Sequence, residues 1–205
     1  MQNPPDPPRA GPFSLAPCAL LLLASILFLA VSALLYWPDP ALAFRTDESP
    51  AAWLSSAQLW AMAPIALRLY RERALPRGLC LWLCAAMMAM SFDEQFMLHE
   101  HWKYGCAQWF DACRHGWVTE LPMLLVGVLG LATVAWLHRH LRARRARVVL
   151  WLAVGVGLCA LVLRATQQPS GLLPYKAALL VLAETLFAGV LLGVGGPGPD
   201  QVHSP

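Results

Sequence analysis

Residues 20–37 read LLLLASILFLAVSALLYW, a run of apolar residues without a single charge. A run of about 18 or more such residues is long enough for an α-helix to cross the roughly 30 Å hydrocarbon core of a bilayer. The composition agrees, because 58% of the 205 residues are hydrophobic and only 13% are charged, against about 25% charged in an average soluble domain. The sequence therefore predicts an all-α integral membrane protein.

Five further apolar segments follow the first, and their lengths predict a bundle of six transmembrane helices. Strands of a membrane barrel would be segments of about ten residues with alternating polarity. We expect residues 14–195 to form the six-helix domain, with disordered cytoplasmic tails at 1–13 and 196–205. The spans cover approximately residues 14–37, 51–70, 78–102, 117–137, 148–163 and 173–194.

The distribution of arginine predicts the orientation of these spans. Two connections are rich in arginine, whereas the other three carry only one or two basic residues each. By the positive-inside rule the arginine-rich connections are cytoplasmic, which also places both termini in the cytoplasm. The membrane is expected to be a bacterial inner membrane. Topology explains the basic residues, so no nucleic-acid partner is expected. The arginines are Arg68, Arg71, Arg73 and Arg77 after the second span, and Arg139, Arg142, Arg144, Arg145 and Arg147 after the fourth.

The third span ends in an unusually polar stretch, SFDEQFMLHEHW at residues 91–102. A charged residue within a span costs about 2.5–3.5 kcal/mol on insertion scales, so it usually faces the bundle interior and marks function. At 100° per residue, Asp93 and Glu100 lie on one line of a continuous helix and Glu94 and His101 on a second line. These four residues would share one broad face, while His99 would point elsewhere.

Two more carboxylates are expected at a similar depth. Glu120 opens the fourth span, and Glu184 lies about 16 Å along the sixth. Because the inner halves of the spans are almost free of polar residues, we expect a polar cavity that opens outward. The candidate catalytic residues are Asp93, Glu94, Glu100, His101, Glu120 and Glu184. The candidate metal ligands are Asp93, Glu94, His99, His101 and Glu184.

A divalent metal such as zinc is the cofactor that these side chains could bind, since carboxylates and imidazoles are its common ligands. One distance counts against a site built from the third span alone. Asp93 and Glu100 would be about 10.5 Å apart along a continuous helix, too far to bind one ion. Glu120, Glu184 or a residue of another helix would have to complete the ligand set.

Cys106 and Cys113 both lie in the outer loop between the third and fourth spans. In an oxidising compartment they could form a disulfide bond. Two free thiols in a polar loop are equally compatible with the sequence.

Two stretches resemble a family of uncharacterised bacterial membrane proteins. The first is FRTDESP at residues 44–50, which leads into Trp53-Leu54-Ser55. The second combines Ser91-x-Asp93-Glu94 with Leu98-His99-Glu100, and the late Glu184 also fits. The resemblance implies a shared architecture and a role for His99, but no established activity. A weaker likeness links the sequence to alkaline-ceramidase-type membrane hydrolases, although their late pair of histidines is absent.

Three hypotheses of function remain open. The first is hydrolysis or transfer, assisted by a metal, on a membrane lipid at the outer leaflet. The second is a non-enzymatic accessory or binding protein of the membrane. The third is a proton-coupled transporter that uses Asp93, Glu94 and Glu184 as protonatable groups.

The predicted topology can be tested with reporter fusions. A reporter that works only in the cytoplasm should be active when it is fused after Arg73 or Arg145, because these positions lie in the arginine-rich connections. A reporter that works only in the periplasm should be active when it is fused near Asp111. Periplasmic activity of the fusion after Arg145 would contradict the topology.

Overall fold

A computed structural model describes residues 13–45, 49–165 and 175–194, so the two predicted tails lie outside it apart from Phe13. Every element in these residues is helical, which confirms the all-α class. Six helices are long: α1 (Ala16–Leu35), α3 (Pro50–Arg71), α4 (Arg77–Phe96), α6 (Gly116–His140), α7 (Arg144–Ala165) and α8 (Lys176–Val194). The short elements are α2 (Leu42–Arg45), α5 (Leu98–Gly105) and two 3₁₀ helices, Cys106–Gln108 and Asp111–Arg114.

Four of the described helices, α1, α6, α7 and α8, are long and apolar enough to cross a membrane. The chain therefore has the character of a membrane protein. Helices α3 and α4 have similar lengths of 22 and 20 residues, but polar side chains such as Gln58 and Asp93 lower their hydropathy. The number of six spans thus stays a prediction.

The predicted continuous helix over residues 78–102 is wrong. Helix α4 ends at Phe96, Met97 adopts a left-handed conformation with φ 51° and ψ 40°, and α5 begins at Leu98. A residue other than glycine in this conformation costs roughly 1–2 kcal/mol, so local contacts must stabilise the break. Because the helix is interrupted at Met97, the expected line along one continuous helix through Asp93 and Glu100 does not exist.

Helix α8 is the centre of the bundle, since it packs against α1, α3 and α7, while α4 packs mainly against α3. We call the end where α3 and α6 finish and α4 and α7 begin the arginine-rich end. Leucines from all five of α3, α4, α6, α7 and α8 are fully buried near this end and form a closed apolar core. They are Leu69, Leu79, Leu83, Leu137, Leu150 and Leu191.

Helix α6 lies at the edge of this bundle and exposes a broad apolar surface, including Leu124, Leu125 and Val128. Its contact with α4 includes one polar bond, in which Trp82 Nε1 donates to Thr133 Oγ1 over 2.7 Å. An exposed face of this composition suits contact with lipid chains, in agreement with a span.

Helices α1 and α8 pack closely at Gly189. A Cβ atom at this position would lie 2.6 Å from Cys18 Sγ and 2.9 Å from its Cα atom. The Cα atom is backbone, so a side chain on Gly189 would force the two helices apart. Small residues commonly allow this kind of close packing between membrane helices.

Gly189→Ala should therefore lower the stability of the full-length protein in detergent by about 1–3 kcal/mol, as overpacking does elsewhere. The measurement is thermal unfolding followed by circular dichroism. Gly127→Ala is the matched control, because a Cβ there meets no atom within 4 Å. Equal melting temperatures of the two variants would contradict the packing argument.

Candidate functional site

Asp93 and His99 form a carboxylate–imidazole pair at the break between α4 and α5. Asp93 Oδ2 lies 2.9 Å from His99 Nδ1, and Asp93 Oδ1 accepts a hydrogen bond of 2.9 Å from the backbone N–H of His99. An ionised carboxylate can only accept hydrogen bonds, so the neutral tautomer that suits this contact has its proton on Nδ1 and its lone pair on Nε2. The side chains are 35% exposed for Asp93 and 20% for His99. The pair is therefore half-buried.

The left-handed turn at Met97 creates this pair. It directs the first turn of α5 back toward the end of α4, where Asp93 accepts from one of the backbone N–H groups that a helix start leaves unsatisfied. The interpretation that His99 points away from the other polar groups is wrong, because it assumed one continuous helix. The motif Leu98-His99-Glu100, rather than periodicity, was the signal for His99.

Glu184 is the second centre of polarity and lies within α8. Its Oε1 atom accepts a hydrogen bond of 2.8 Å from Ser55 Oγ of α3. Its Oε2 atom is buried and has no hydrogen-bond partner among the described residues. Glu94 is close enough for the two carboxylates to interact electrostatically. Since Glu94 follows Asp93, the parts of α3, α4 and α8 that lie away from the arginine-rich end form one acidic region.

Further hydrogen bonds between helices surround this region. Ser91 Oγ of α4 donates to the backbone oxygen of Ser56 over 2.9 Å. Gln58 Nε2 donates to Ser25 Oγ over 2.8 Å and to Thr185 Oγ1 over 3.0 Å. These bonds fix α1, α3, α4 and α8 at one depth. Sequence inspection alone could not pair these side chains, because their partners depend on the rotation of each helix.

An aromatic groove lies between α3 and α4 on the outside of the bundle. Its volume is about 330 Å³, and its polar lining comes from Ser56, Ser91 and Gln95. The rings are partly exposed, and Phe92, the residue before Asp93, stacks on Phe96 with ring centroids 5.9 Å apart. The exposed rings place the groove on the lateral surface of α3 and α4. Its other lining residues are Trp53, Ala57, Trp60, Phe92 and Phe96.

The remaining predicted site residues lie on α5 and α6, outside these contacts. His101 is exposed and its Nδ1 atom meets the backbone oxygen of Met97 at 3.0 Å. Glu120 is exposed and forms an ion pair with Lys103. Glu100 is half-buried in the first turn of α5. Within the described ranges, no three His, Cys, Asp or Glu side chains come together as a group that could hold a metal ion.

A disulfide bond joins Cys106 and Cys113, with Cα atoms 5.7 Å apart. It links the two 3₁₀ helices that connect α5 to α6, and the Lys103–Glu120 ion pair joins α5 directly to α6. Of the two possibilities left open by the sequence, the structure contains the bridge. The bridge closes the loop that follows α5, the helix that carries His99.

Comparison with known proteins places most of the chain in one family. Residues 49–192, more than two thirds of the chain, match the family model described as Domain of unknown function (DUF8692). This agrees with the expected likeness to an uncharacterised family, whereas the likeness to alkaline-ceramidase-type hydrolases stays a prediction. No curated protein and no solved structure matches the chain.

The disulfide can be tested by thiol labelling of intact cells or spheroplasts. A membrane-impermeant maleimide should not label Cys106 or Cys113 until a reductant is added, because both sulfur atoms are in the bond. The variant Cys106→Ser should expose Cys113 to the reagent without reductant. Full labelling of the unreduced wild type would show that the bridge is absent.

Proposed function

We propose that this chain, which belongs to the family described as Domain of unknown function (DUF8692), is a membrane-embedded enzyme. In this proposal it catalyses hydrolysis or group transfer on a lipid at the outer leaflet. The observation that carries it is the 2.9 Å contact between Asp93 Oδ2 and His99 Nδ1, which in the neutral ring leaves Nε2 as a base. A carboxylate that orients an imidazole in this way is the recurring arrangement of general-base catalysis.

The position of the pair supports a lipid as the substrate. Asp93 directly follows Phe92, which lines the aromatic groove between α3 and α4. Exposed rings around a few polar groups suit an acyl chain with an ester or phosphoryl group near its end. The lateral opening would admit a lipid without its passing through the aqueous phase.

In the proposed reaction, His99 Nε2 takes a proton from a water molecule or a hydroxyl acceptor while that oxygen attacks the carbonyl carbon or phosphorus of a lipid ester. Asp93 stabilises the resulting imidazolium through the Nδ1–H group. The imidazolium then gives the proton to the leaving alkoxide oxygen as its bond to the carbonyl carbon or phosphorus breaks. The pair ends the cycle in its starting state.

The pair supports this proposal better than a metal site does. Zinc would need about three protein ligands, and the described residues offer no group of three ligand side chains in one place. The proposal therefore assigns Asp93 and His99 to proton transfer. Glu94 and Glu184 are assigned to the acidic region beside the pair.

One observation favours a second candidate, a proton-coupled transporter. Glu184 lies eight residues into α8, about 12 Å along the helix by its rise, and its Oε2 atom is buried without a partner among the described residues. A carboxyl group of this kind inside a bundle is a candidate proton carrier. This hypothesis assigns the activity to Glu184 and leaves His99 a structural role.

The proposal includes the topology. The six long helices of 19–25 residues would each cross the membrane, with both termini in the cytoplasm of a bacterial cell. The arginine-rich end would face the cytoplasm, as the positive-inside rule requires. The Asp93–His99 pair and the aromatic groove would then face the outer leaflet, where the lipid substrate is expected.

His99→Gln should abolish lipid turnover by purified full-length protein in phospholipid nanodiscs, and Asp93→Asn should lower it about 10²–10⁴-fold. The measurement is mass spectrometry of the extracted lipids over time. His101→Gln is the matched control, because it removes an exposed imidazole two residues further along the same short helix.

Asp93 also accepts from the backbone at the start of α5, so Asp93→Asn should cost about 1 kcal/mol of stability and His99→Gln is the decisive variant. Wild-type turnover by His99→Gln with unchanged melting temperature would refute the proposed base. Proton transport by the wild type that is lost in Glu184→Gln and kept in His99→Gln would favour the transporter. If the wild type converts no lipid and moves no protons, the accessory role remains.

A further inference from the structure

A second groove lies at the arginine-rich end, between the last turn of α6 and the first turns of α7. Its volume is about 530 Å³. Its lining divides evenly into three basic and three apolar side chains, and contains no acidic side chain among the described residues. The six residues are His138, Arg144, Arg147, Val148, Trp151 and Leu152.

Five of the six lining residues belong to one face of α7. They follow each other at i, i+3, i+4, i+7 and i+8, the spacing of a single helical stripe. The stripe changes character along its length: Arg144 and Arg147 come first, and Trp151 and Leu152 lie about 10 Å further along the helix. The apolar members are 51% exposed for Trp151 and 54% for Leu152. A positive end therefore continues into an exposed apolar track.

The polar atoms at this groove are ready to bind an anion. Arg147 Nε is buried, and among the described residues it has no hydrogen-bond partner. Trp151 Nε1 donates to His138 Nδ1 over 3.2 Å. In the neutral His138 ring the proton is therefore on Nε2, which can donate a hydrogen bond. Helix α7 also begins at Arg144, and a helix start presents unsatisfied backbone N–H groups.

We infer that this groove binds one anionic phospholipid such as phosphatidylglycerol. Arg144, Arg147 and His138 contact the phosphate, and an acyl chain lies along Val148, Trp151 and Leu152. A lipid is favoured over free phosphate because half of the lining is apolar and exposed. Two guanidinium groups favour a headgroup with net negative charge over a choline headgroup, whose ammonium they would repel. This site is at the opposite end of the bundle from Asp93 and does not depend on the proposed enzymatic function.

The experiment is native mass spectrometry of the full-length protein in detergent, with phosphatidylglycerol, phosphatidylcholine or inorganic phosphate added at equal concentrations. We expect one bound phosphatidylglycerol per protein at the lowest concentrations, with weaker binding of phosphatidylcholine. Arg147→Gln should weaken phosphatidylglycerol binding about fivefold or more, and Arg144→Gln by a similar factor, since each basic residue near a membrane surface contributes about 1 kcal/mol.

Arg145→Gln is the matched control, because it removes the same charge from the same turn but does not line the groove. Arg144 is exposed, so its variant tests the site even if Arg147→Gln does not fold. Unchanged phosphatidylglycerol binding in Arg145→Gln with a loss in Arg144→Gln supports the site. Three outcomes would overturn the proposed site. They are an equal loss of phosphatidylglycerol binding in both variants, equal binding of phosphatidylcholine, and displacement of phosphatidylglycerol by inorganic phosphate.

Discussion

The hydrogen bonds of the Gln58 amide link three of the described helices, α1, α3 and α8. An amide buried in apolar surroundings without a partner costs several kcal/mol, and a bilayer core offers no water to replace the partner. Gln58 of α3 meets this requirement through Ser25 of α1 and Thr185 of α8. The rotation and depth of three helices are thereby linked. One turn earlier on α3, Ser55 and Ser56 extend the same constraint to Glu184 and to α4.

The sequence predicted the long helices well because apolar runs report directly on the length of a span. Each of the six predicted spans contains a helix, and α3, from Pro50 to Arg71, deviates from its prediction by only one residue at each end. The break at Met97 could not be predicted, since neither glycine nor proline marks it. A left-handed methionine is stabilised here by the contacts of Asp93 with His99, which helical periodicity does not reveal.

The positions of the candidate site residues along their helices could be predicted from the sequence. The directions in which their side chains point could not. Glu94 and Glu184 lie near each other, but the shared site expected for them stays a prediction. Glu120 lies at the predicted position near the start of α6 but pairs with Lys103, because exposed interfacial charges find the nearest opposite charge. The role of Ser55 as the partner of Glu184 required the rotation of two helices, which no single sequence window contains.

The two ends of the bundle differ in a way that bears on the choice between enzyme and transporter. Polar side chains from four helices meet around Glu184, whereas toward the arginine-rich end the core consists of fully buried leucines such as Leu69, Leu83 and Leu150. A carrier must offer its binding group to both sides in turn, so these leucines would have to separate in each cycle. They pack closely, and pulling many packed apolar side chains apart at once costs considerable free energy. An enzyme that takes up a lipid sideways through the aromatic groove needs no such opening. In the proposed enzyme the leucine core is the rigid base that keeps α3 and α4 in place beside Asp93 and His99.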